Sequence, residues 1–160
     1  DAMVLDCGCG GGANIKKLLK KYPHSIVNGI DYSIVSVEKS KKVNNKAVAE
    51  GRCTVLKGNV MNMPYSATCF DAVTAFETIY FWQDLPRCFC EIYRVLKPGG
   101  TFLICNEVSG DEAKDEKWTK IIEGMTIYKD TELKKYLGQA TFRNIQIRKK
   151  NNWLCVTAEK

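Results

Sequence analysis

A glycine-rich loop near the start of the sequence carries the clearest chemical signal. In MVLDCGCGGGAN, an apolar run ends in Asp6, and Gly8, Gly10 and Gly12 follow at every second position. A glycine has no side chain to hold a ligand away from the backbone, and the helix expected after the loop begins with backbone N–H groups that lack partners. The spacing therefore predicts a loop over which an elongated ligand lies.

Further candidate residues follow the next three predicted strands. Asp31 and Tyr32 close the second strand, SIVNGID, and Asn59 and Val60 close the third, CTVLKGN. The aromatic segment FETIYFW, residues 76–82, follows the fourth strand, FDAVTAF. Ligands of open parallel sheets bind at the carboxyl ends of the strands, where the strand order reverses, so these residues are expected to share one crevice with the glycine loop.

The elements that must position these residues alternate between strand and helix. The first strand is predicted at residues 3–7, and Pro23 ends the helix that follows. Ser33 is expected to cap the second helix. Asp84 starts a helix that buries Leu96 and ends at KPGG, before a fifth strand, TFLICNE. A further helix is predicted at residues 131–137.

The last eighteen residues, RNIQIRKKNNWLCVTAEK, show two alternating strands joined near Asn151, which predicts an antiparallel hairpin. Strand–helix repeats imply a parallel sheet with helices on both faces. The predicted fold class is therefore α/β: a three-layer, doubly wound, mostly parallel seven-stranded sheet with a C-terminal antiparallel hairpin. Residues 1–160 are expected to form a single domain, and the abrupt start at Asp1 suggests that an N-terminal segment is missing.

Composition narrows the functional classes. The net charge is +6, but the lysines fall on the polar faces of predicted helices, which favours solvated surfaces over a nucleic-acid interface. No apolar run is long enough to cross a bilayer. The eight cysteines form no Cys-x-x-Cys pair and His24 is the only histidine, so no metal site is predicted. Buried, reduced thiols indicate a cytoplasmic protein.

Two cofactors fit the glycine loop. Gly8-x-Gly10-x-x-Ala13 satisfies the dinucleotide fingerprint, and Asp31 suits a ribose diol in either case. The C-terminal hairpin is unusual for a dinucleotide domain. The segments VLDCGCGGG, LKGNVMNMPYS and YRVLKPGGTFLICNE, taken in this order, resemble those of class I S-adenosylmethionine (SAM)-dependent methyltransferases. The resemblance covers essentially the whole chain and implies a SAM-binding domain.

The resemblance also implies roles for individual residues. Gly8 and Gly10 would pack against the methionine part of SAM, with Asp6 and the backbone of Phe76 near its amino group. Asp31 would bind the ribose diol. Around the adenine ring the resemblance implies three contacts, made by Tyr32, Asn59 and Val60; Asn59 replaces the aspartate usual in the family.

For the methyl acceptor, the candidate residues are Glu77, Tyr80 and Trp82, and no residue stands out as a catalytic base. A small-molecule acceptor is expected, because the Asn/Asp-Pro-Pro-Tyr signature of enzymes that methylate base amino groups is absent where AFET stands. Two alternatives remain open at this point. One is an RNA methyltransferase that uses the basic surface, and the other is a NAD-dependent oxidoreductase.

Overall fold

The computed structural model describes residues 1–160, and a seven-stranded sheet with the order β3-β2-β1-β4-β5-β7-β6 runs through it. Strands β1 to β5 are parallel, and β7 is antiparallel to both of its neighbours. This order confirms the predicted fold class, including the hairpin. The strands are β1 (Met3–Cys7), β2 (Ile26–Asp31), β3 (Cys53–Lys57), β4 (Phe70–Phe76), β5 (Leu96–Asn106), β6 (Arg143–Lys150) and β7 (Trp153–Glu159).

Helices cover both faces of the sheet. They are α1 (Ala13–Lys21), α2 (Ile34–Val43), α3 (Asn45–Ala49), α4 (Leu85–Val95), α5 (Glu116–Ile121) and α6 (Asp130–Gln139). The adjacent β1 residues Val4 and Leu5 belong to different apolar clusters, because successive strand residues point to opposite faces. Helices α1 to α3 contribute to the cluster around Val4, whereas α4 and α6 contribute to the larger cluster around Leu5. No helix combines the length and the apolar character that a membrane crossing requires.

Local capping chemistry sets the starts of two helices. Ser33 Oγ accepts the N–H of Ser36 at 3.3 Å at the start of α2, which confirms the predicted cap. The Asp84 carboxylate accepts the N–H of Arg87 at 3.1 Å at the start of α4, and Pro86 lies in the first turn, where its missing N–H has no helical partner to lose. Both helices therefore begin where the sequence predicts.

The prediction was wrong at the junction of α4 and β5. Helix α4 ends at Val95, and strand β5 already begins at Leu96 rather than at Thr101. Leu96 is fully buried, as expected, but it pairs with Phe70 of β4, and a register shift then brings Thr101 opposite Ala72. The Lys-Pro-Gly-Gly segment thus forms an irregular part of the strand instead of a separate turn.

The hairpin between β6 and β7 turns over two residues. Asn151 adopts a positive φ of 55°, as two-residue hairpin turns require, and asparagine tolerates this region better than most side chains. Strand β7 then lies between β5 and β6, with Cys105 of β5 opposite Cys155 and Leu103 opposite Thr157.

Candidate cofactor and acceptor sites

A cleft of about 600 Å³ lies at the point where the strand order reverses around β1. Its wall comes from the carboxyl ends of β1, β2 and β3 and from the segment after β4. It is the position at which sheets of this type bind their ligands. Six of the residues predicted from the sequence line this cleft, namely Gly8, Asp31, Tyr32, Asn59, Val60 and Trp82.

The glycine loop has the geometry that its composition predicts. Gly8 has φ +67°, and a Cβ built there would lie 1.9 Å from Thr78 Oγ1, so no side chain fits at this position. Gly10 also has a positive φ, +51°, but no heavy atom lies within 4 Å of its would-be Cβ. Gly10 therefore leaves open space beside the backbone, whereas the space over Gly8 is shared with the Thr78 side chain.

Asp31 joins the glycine loop to the end of β2. One carboxylate oxygen accepts the Gly10 N–H at 2.9 Å, and the other accepts the Ser33 N–H at 2.9 Å. The side chain is 9% exposed and lines the cleft. Because a carboxylate offers about four acceptor positions, each oxygen retains one for a ligand hydroxyl. The arrangement holds two oriented acceptors at the cleft wall.

Tyr32 and Asn59 lie at the edge of the same cleft. Tyr32 is 77% exposed, so its ring is free to stack against a planar group. The Asn59 side-chain oxygen accepts the Met61 N–H at 2.9 Å and keeps a second lone pair. These residues offer a flat apolar surface and a hydrogen-bond acceptor within one wall.

The loop that carries Asn59 is fastened to helix α4 by an ion pair. A Glu91 carboxylate oxygen accepts the Met63 N–H at 2.6 Å. Arg94 pairs with Glu91 and also donates to the carbonyls of Tyr65 at 2.8 Å and Met63 at 3.3 Å. The Arg94 guanidinium lowers the pKa of the Glu91 carboxyl, so this carboxyl stays ionised. The pair holds the β3–β4 loop against the core.

Three predicted cofactor residues do not line the cleft. Asp6 is 2% exposed and accepts the Thr74 hydroxyl at 2.7 Å. Burial raises the pKa of Asp6 to about 7. Phe76 ends β4 and is half-buried, but it is not among the residues that line the cleft. Gly10 likewise contributes open space rather than a lining atom.

The predicted acceptor residues divide between two places. Trp82 lines the cofactor cleft, whereas Glu77 lines a second cleft of about 590 Å³ together with Trp118, Ile122 and Trp153. The lysines of this second cleft, at positions 114 and 117, come from the segment before α5 and from α5 itself. The structure therefore does not bring Glu77 and Trp82 together in one pocket.

Glu77 is held in an unusual backbone conformation by its contacts. Its φ is +54°, a strained value for a residue with a side chain. The carboxylate accepts the Tyr80 hydroxyl at 3.0 Å and also the N–H of Glu107. The Tyr80 oxygen in turn accepts the Val108 N–H at 3.1 Å. Tyr80 is 3% exposed, and burial raises the pKa of its phenol, so Tyr80 supports Glu77 from within rather than lining a cleft.

Two polar residues also line the cofactor cleft. Thr78 lies in the candidate segment FETIYFW but has no role predicted from the sequence, and Gln83 follows directly after that segment. The available signal was position, because both lie within a few residues of the carboxyl end of β4.

Comparison with known proteins identifies the family. Residues 5–104 match the family model described as a methyltransferase domain, and the chain belongs to that family. Among curated relatives, cycloartenol-C-24-methyltransferase 1 of Oryza sativa subsp. japonica is 38% identical over 101 residues, which cover 63% of this chain and 29% of the relative. Sterol 24-C-methyltransferase of Clavispora lusitaniae is 32% identical over 126 residues, covering 78% of this chain and 33% of the relative. The chain thus spans about a third of the length of these relatives.

Solved structures show the same fold. Geranyl diphosphate C-methyltransferase from Streptomyces coelicolor, in a complex that includes S-adenosylhomocysteine, superimposes with a TM-score of 0.85 at 15% identity, covering 99% of this chain and 72% of that chain. Phosphoethanolamine N-methyltransferase 2 of Haemonchus contortus, bound to SAM, has a TM-score of 0.86 at 16% identity, covering 99% of this chain and 48% of that one.

The family match, the glycine loop and the strand order together define the class as SAM-dependent methyltransferase of class I. This result decides between the two cofactors that fit the loop, in favour of SAM. The cleft suits that molecule, because it combines two carboxylate acceptors at Asp31 with an exposed aromatic ring at Tyr32. The contacts assigned to individual residues remain predictions.

Proposed function

We propose that the protein transfers a methyl group from SAM to a carbon atom of a small apolar acceptor of the sterol type. The relatives named for sterol C-24 methylation support this choice of acceptor. The observation that carries it is the second cleft, where Glu77 lies in one lining with the large apolar side chains of Trp118, Ile122, Met125 and Trp153. The rest of the lining is mostly polar or charged, so the apolar side chains offer contact to an apolar acceptor and the polar ones fix its orientation.

In the same proposal, residues 1–160 form one SAM-binding domain with the contacts implied by the resemblance. Asp31 binds the ribose diol, and Tyr32 stacks on the adenine ring. Asn59 accepts a hydrogen bond from the adenine amino group. Gly10 makes room for the methionine part. All eight cysteines are free thiols, which supports a cytoplasmic location.

SAM supplies a methyl group already activated on a sulfonium, so the protein's main task is to align the acceptor and exclude water. Glu77 places a fixed carboxylate in the acceptor cleft, and the Tyr80 hydroxyl and the Glu107 N–H orient it. When an alkene carbon takes up a methyl group, positive charge develops on the acceptor. The carboxylate stabilises that charge and accepts the proton that the acceptor then releases.

The aromatic residues of the second cleft also stabilise positive charge on the acceptor. Trp118 is 38% exposed and Trp153 is 42% exposed, and both line the cleft; the Lys117 ammonium lies over the Trp118 ring, 5.2 Å from its centroid. The face of an indole ring attracts a cation and does not react with it as a nucleophilic oxygen would. The cleft thus combines shape for an apolar acceptor with stabilisation of its charged state.

The test is methyl transfer from radiolabelled SAM by the full-length protein, offered cycloartenol, phosphoethanolamine or total RNA in parallel. Label in the sterol fraction is the expected result. Label in RNA alone would establish the nucleic-acid alternative and overturn the proposal. Calorimetry with SAM and NAD accompanies the assay, and binding of NAD alone would refute the cofactor.

A variant pair assigns the role of Glu77. Glu77→Gln is expected to lower kcat by about a hundredfold, a typical value for a positioned proton acceptor, and to leave SAM affinity unchanged. Glu123→Gln is the matched control, because Glu123 is exposed and makes no ion pair. Equal kcat values for the two variants would exclude Glu77 from the reaction.

A further inference from the structure

Two cysteines outside both clefts lie side by side in the sheet. Cys105 of β5 and Cys155 of β7 are direct partners in the antiparallel register, and their Sγ atoms are 2.7 Å apart. Direct partners on antiparallel strands have Cα separations of about 4.5 or 5.5 Å, and both values fall within the range that a disulfide bridges. The strand pairing therefore holds these two thiols within reach of a disulfide bond.

Access distinguishes this pair from most of the other cysteines. Cys105 and Cys155 are both partly exposed, whereas Cys7, Cys53 and Cys88 are buried. The strand neighbours Ile104 and Val156 are fully buried and point to the opposite face of the sheet. The two thiols thus lie together on the less covered face, where a small molecule can reach them.

We propose that Cys105 and Cys155 form a reversible oxidation site, which a small-molecule disulfide such as oxidised glutathione converts to a cross-strand disulfide. The Cys155 thiolate attacks one sulfur of the oxidant and displaces the first reduced thiol. The Cys105 sulfur then attacks the Cys155 sulfur of the mixed disulfide and displaces the second. Two electrons pass to the oxidant, and the two cysteine protons end on the two released thiols.

Burial and the adjacent Cys155 thiol raise the pKa of Cys105 to about 12, so Cys105 supplies little thiolate at neutral pH. The separation of 2.7 Å between the two sulfurs places the second thiol within reach of the mixed disulfide formed on the first.

Hydrogen bonds connect this site to Glu77, which lines the acceptor cleft. The Cys105 carbonyl accepts the Glu77 N–H at 3.0 Å, and Glu107 lies two residues further along the chain and donates to the Glu77 carboxylate. A disulfide draws the two sulfurs to about 2.0 Å and ties the end of β5 to β7. The bond also closes a long stretch of chain between positions 105 and 155, which restricts the unfolded state.

The experiment incubates the native protein with oxidised glutathione and follows free thiols, peptide mass and urea unfolding. We expect the count of free thiols to fall by two from eight, a linked peptide pair containing residues 105 and 155, and a higher urea midpoint that dithiothreitol reverses. Cys105→Ser is expected to stop at a glutathione adduct on Cys155. Cys90→Ser, which removes an exposed cysteine elsewhere, should still form the disulfide.

Two outcomes would overturn the proposal. One is a wild-type protein in which Cys105 and Cys155 both stay free while the exposed Cys90 forms a glutathione adduct. The other is loss of two thiols that persists in Cys155→Ser. The peptide map of the wild-type protein decides the question even if a variant is poorly folded.

Discussion

Replacing Asp6 by asparagine should change how the stability of the protein depends on pH. Asp6 is buried at the end of β1, where it accepts a hydrogen bond from the Thr74 hydroxyl. Burial raises the pKa of its carboxyl from 3.8 to about 7; the Thr74 bond opposes the rise, and the negative charge of Asp31 adds to it. An asparagine oxygen accepts the same Thr74 bond but has no charge to bury.

The sign and size of the effect follow from proton linkage. Above pH 3.8 the unfolded chain releases the Asp6 proton, whereas the folded chain retains it until the pH approaches 7. The folded state therefore binds more protons across this interval, and its stability falls as the pH rises. One pKa unit corresponds to about 1.4 kcal/mol, so the contribution of Asp6 falls by about 2 to 3 kcal/mol between pH 5 and pH 8.

Urea denaturation of the SAM-free protein at pH 5 and pH 8 measures this contribution. The free energy of unfolding of Asp6→Asn should fall by about 2 to 3 kcal/mol less between the two pH values than that of the wild type. Asp71→Asn is the control, because the Met3 N–H and Lys97 lower the pKa of the Asp71 carboxyl and leave it ionised at both pH values. It should keep the wild-type dependence. Identical pH dependence in Asp6→Asn and the wild type would refute the reasoning.

Three further predictions concern Asp31, the glycine loop and the Arg94–Glu91 pair. Asp31→Ala should weaken SAM binding by about 2 kcal/mol, roughly thirtyfold, because the ribose hydroxyls lose a charged acceptor; calorimetry that shows unchanged affinity would contradict this role. Gly8→Ala should lower the urea midpoint more than Gly10→Ala, since both have positive φ but only a Cβ at Gly8 meets the Thr78 side chain; equal losses would count against that contact. Arg94→Ala should lower the free energy of unfolding by about 1 to 3 kcal/mol and reduce SAM affinity. Arg94→Lys should be intermediate, because lysine keeps the charge but not the planar guanidinium. Wild-type behaviour of both variants would show that the contacts of Arg94 do not stabilise the β3–β4 loop.

Local sequence patterns predicted the elements that local chemistry determines. The apolar runs of β1 and β4, the Ser33 and Asp84 caps and the Asn151 turn each depend on residues within a few positions. The position of Asp31 in the cleft was equally predictable, because a residue at the carboxyl end of a parallel strand next to the switch point faces the ligand site.

Features that depend on distant partners were not predictable. Glu77 turns away from the cofactor cleft because its carboxylate binds the N–H of Glu107, thirty residues later. Strand β5 begins early because Leu96 pairs with Phe70 on a different strand. The pairing of Cys105 with Cys155 depends on the register between strands that are fifty residues apart. In each case the sequence gives the residue type, but the residue that it contacts is distant in the sequence and cannot be identified from local patterns.

The position of β7 has a consequence for the order of folding. It is synthesised after the other six strands, yet it occupies an interior place, and β6 has no hydrogen-bonded neighbour except β7. A nascent chain that lacks residues 153–159 therefore presents β5 as an open edge, with β6 unable to join the assembly. An open strand edge of this kind can pair with other chains, so aggregation competes with folding until residues 153–159 are available.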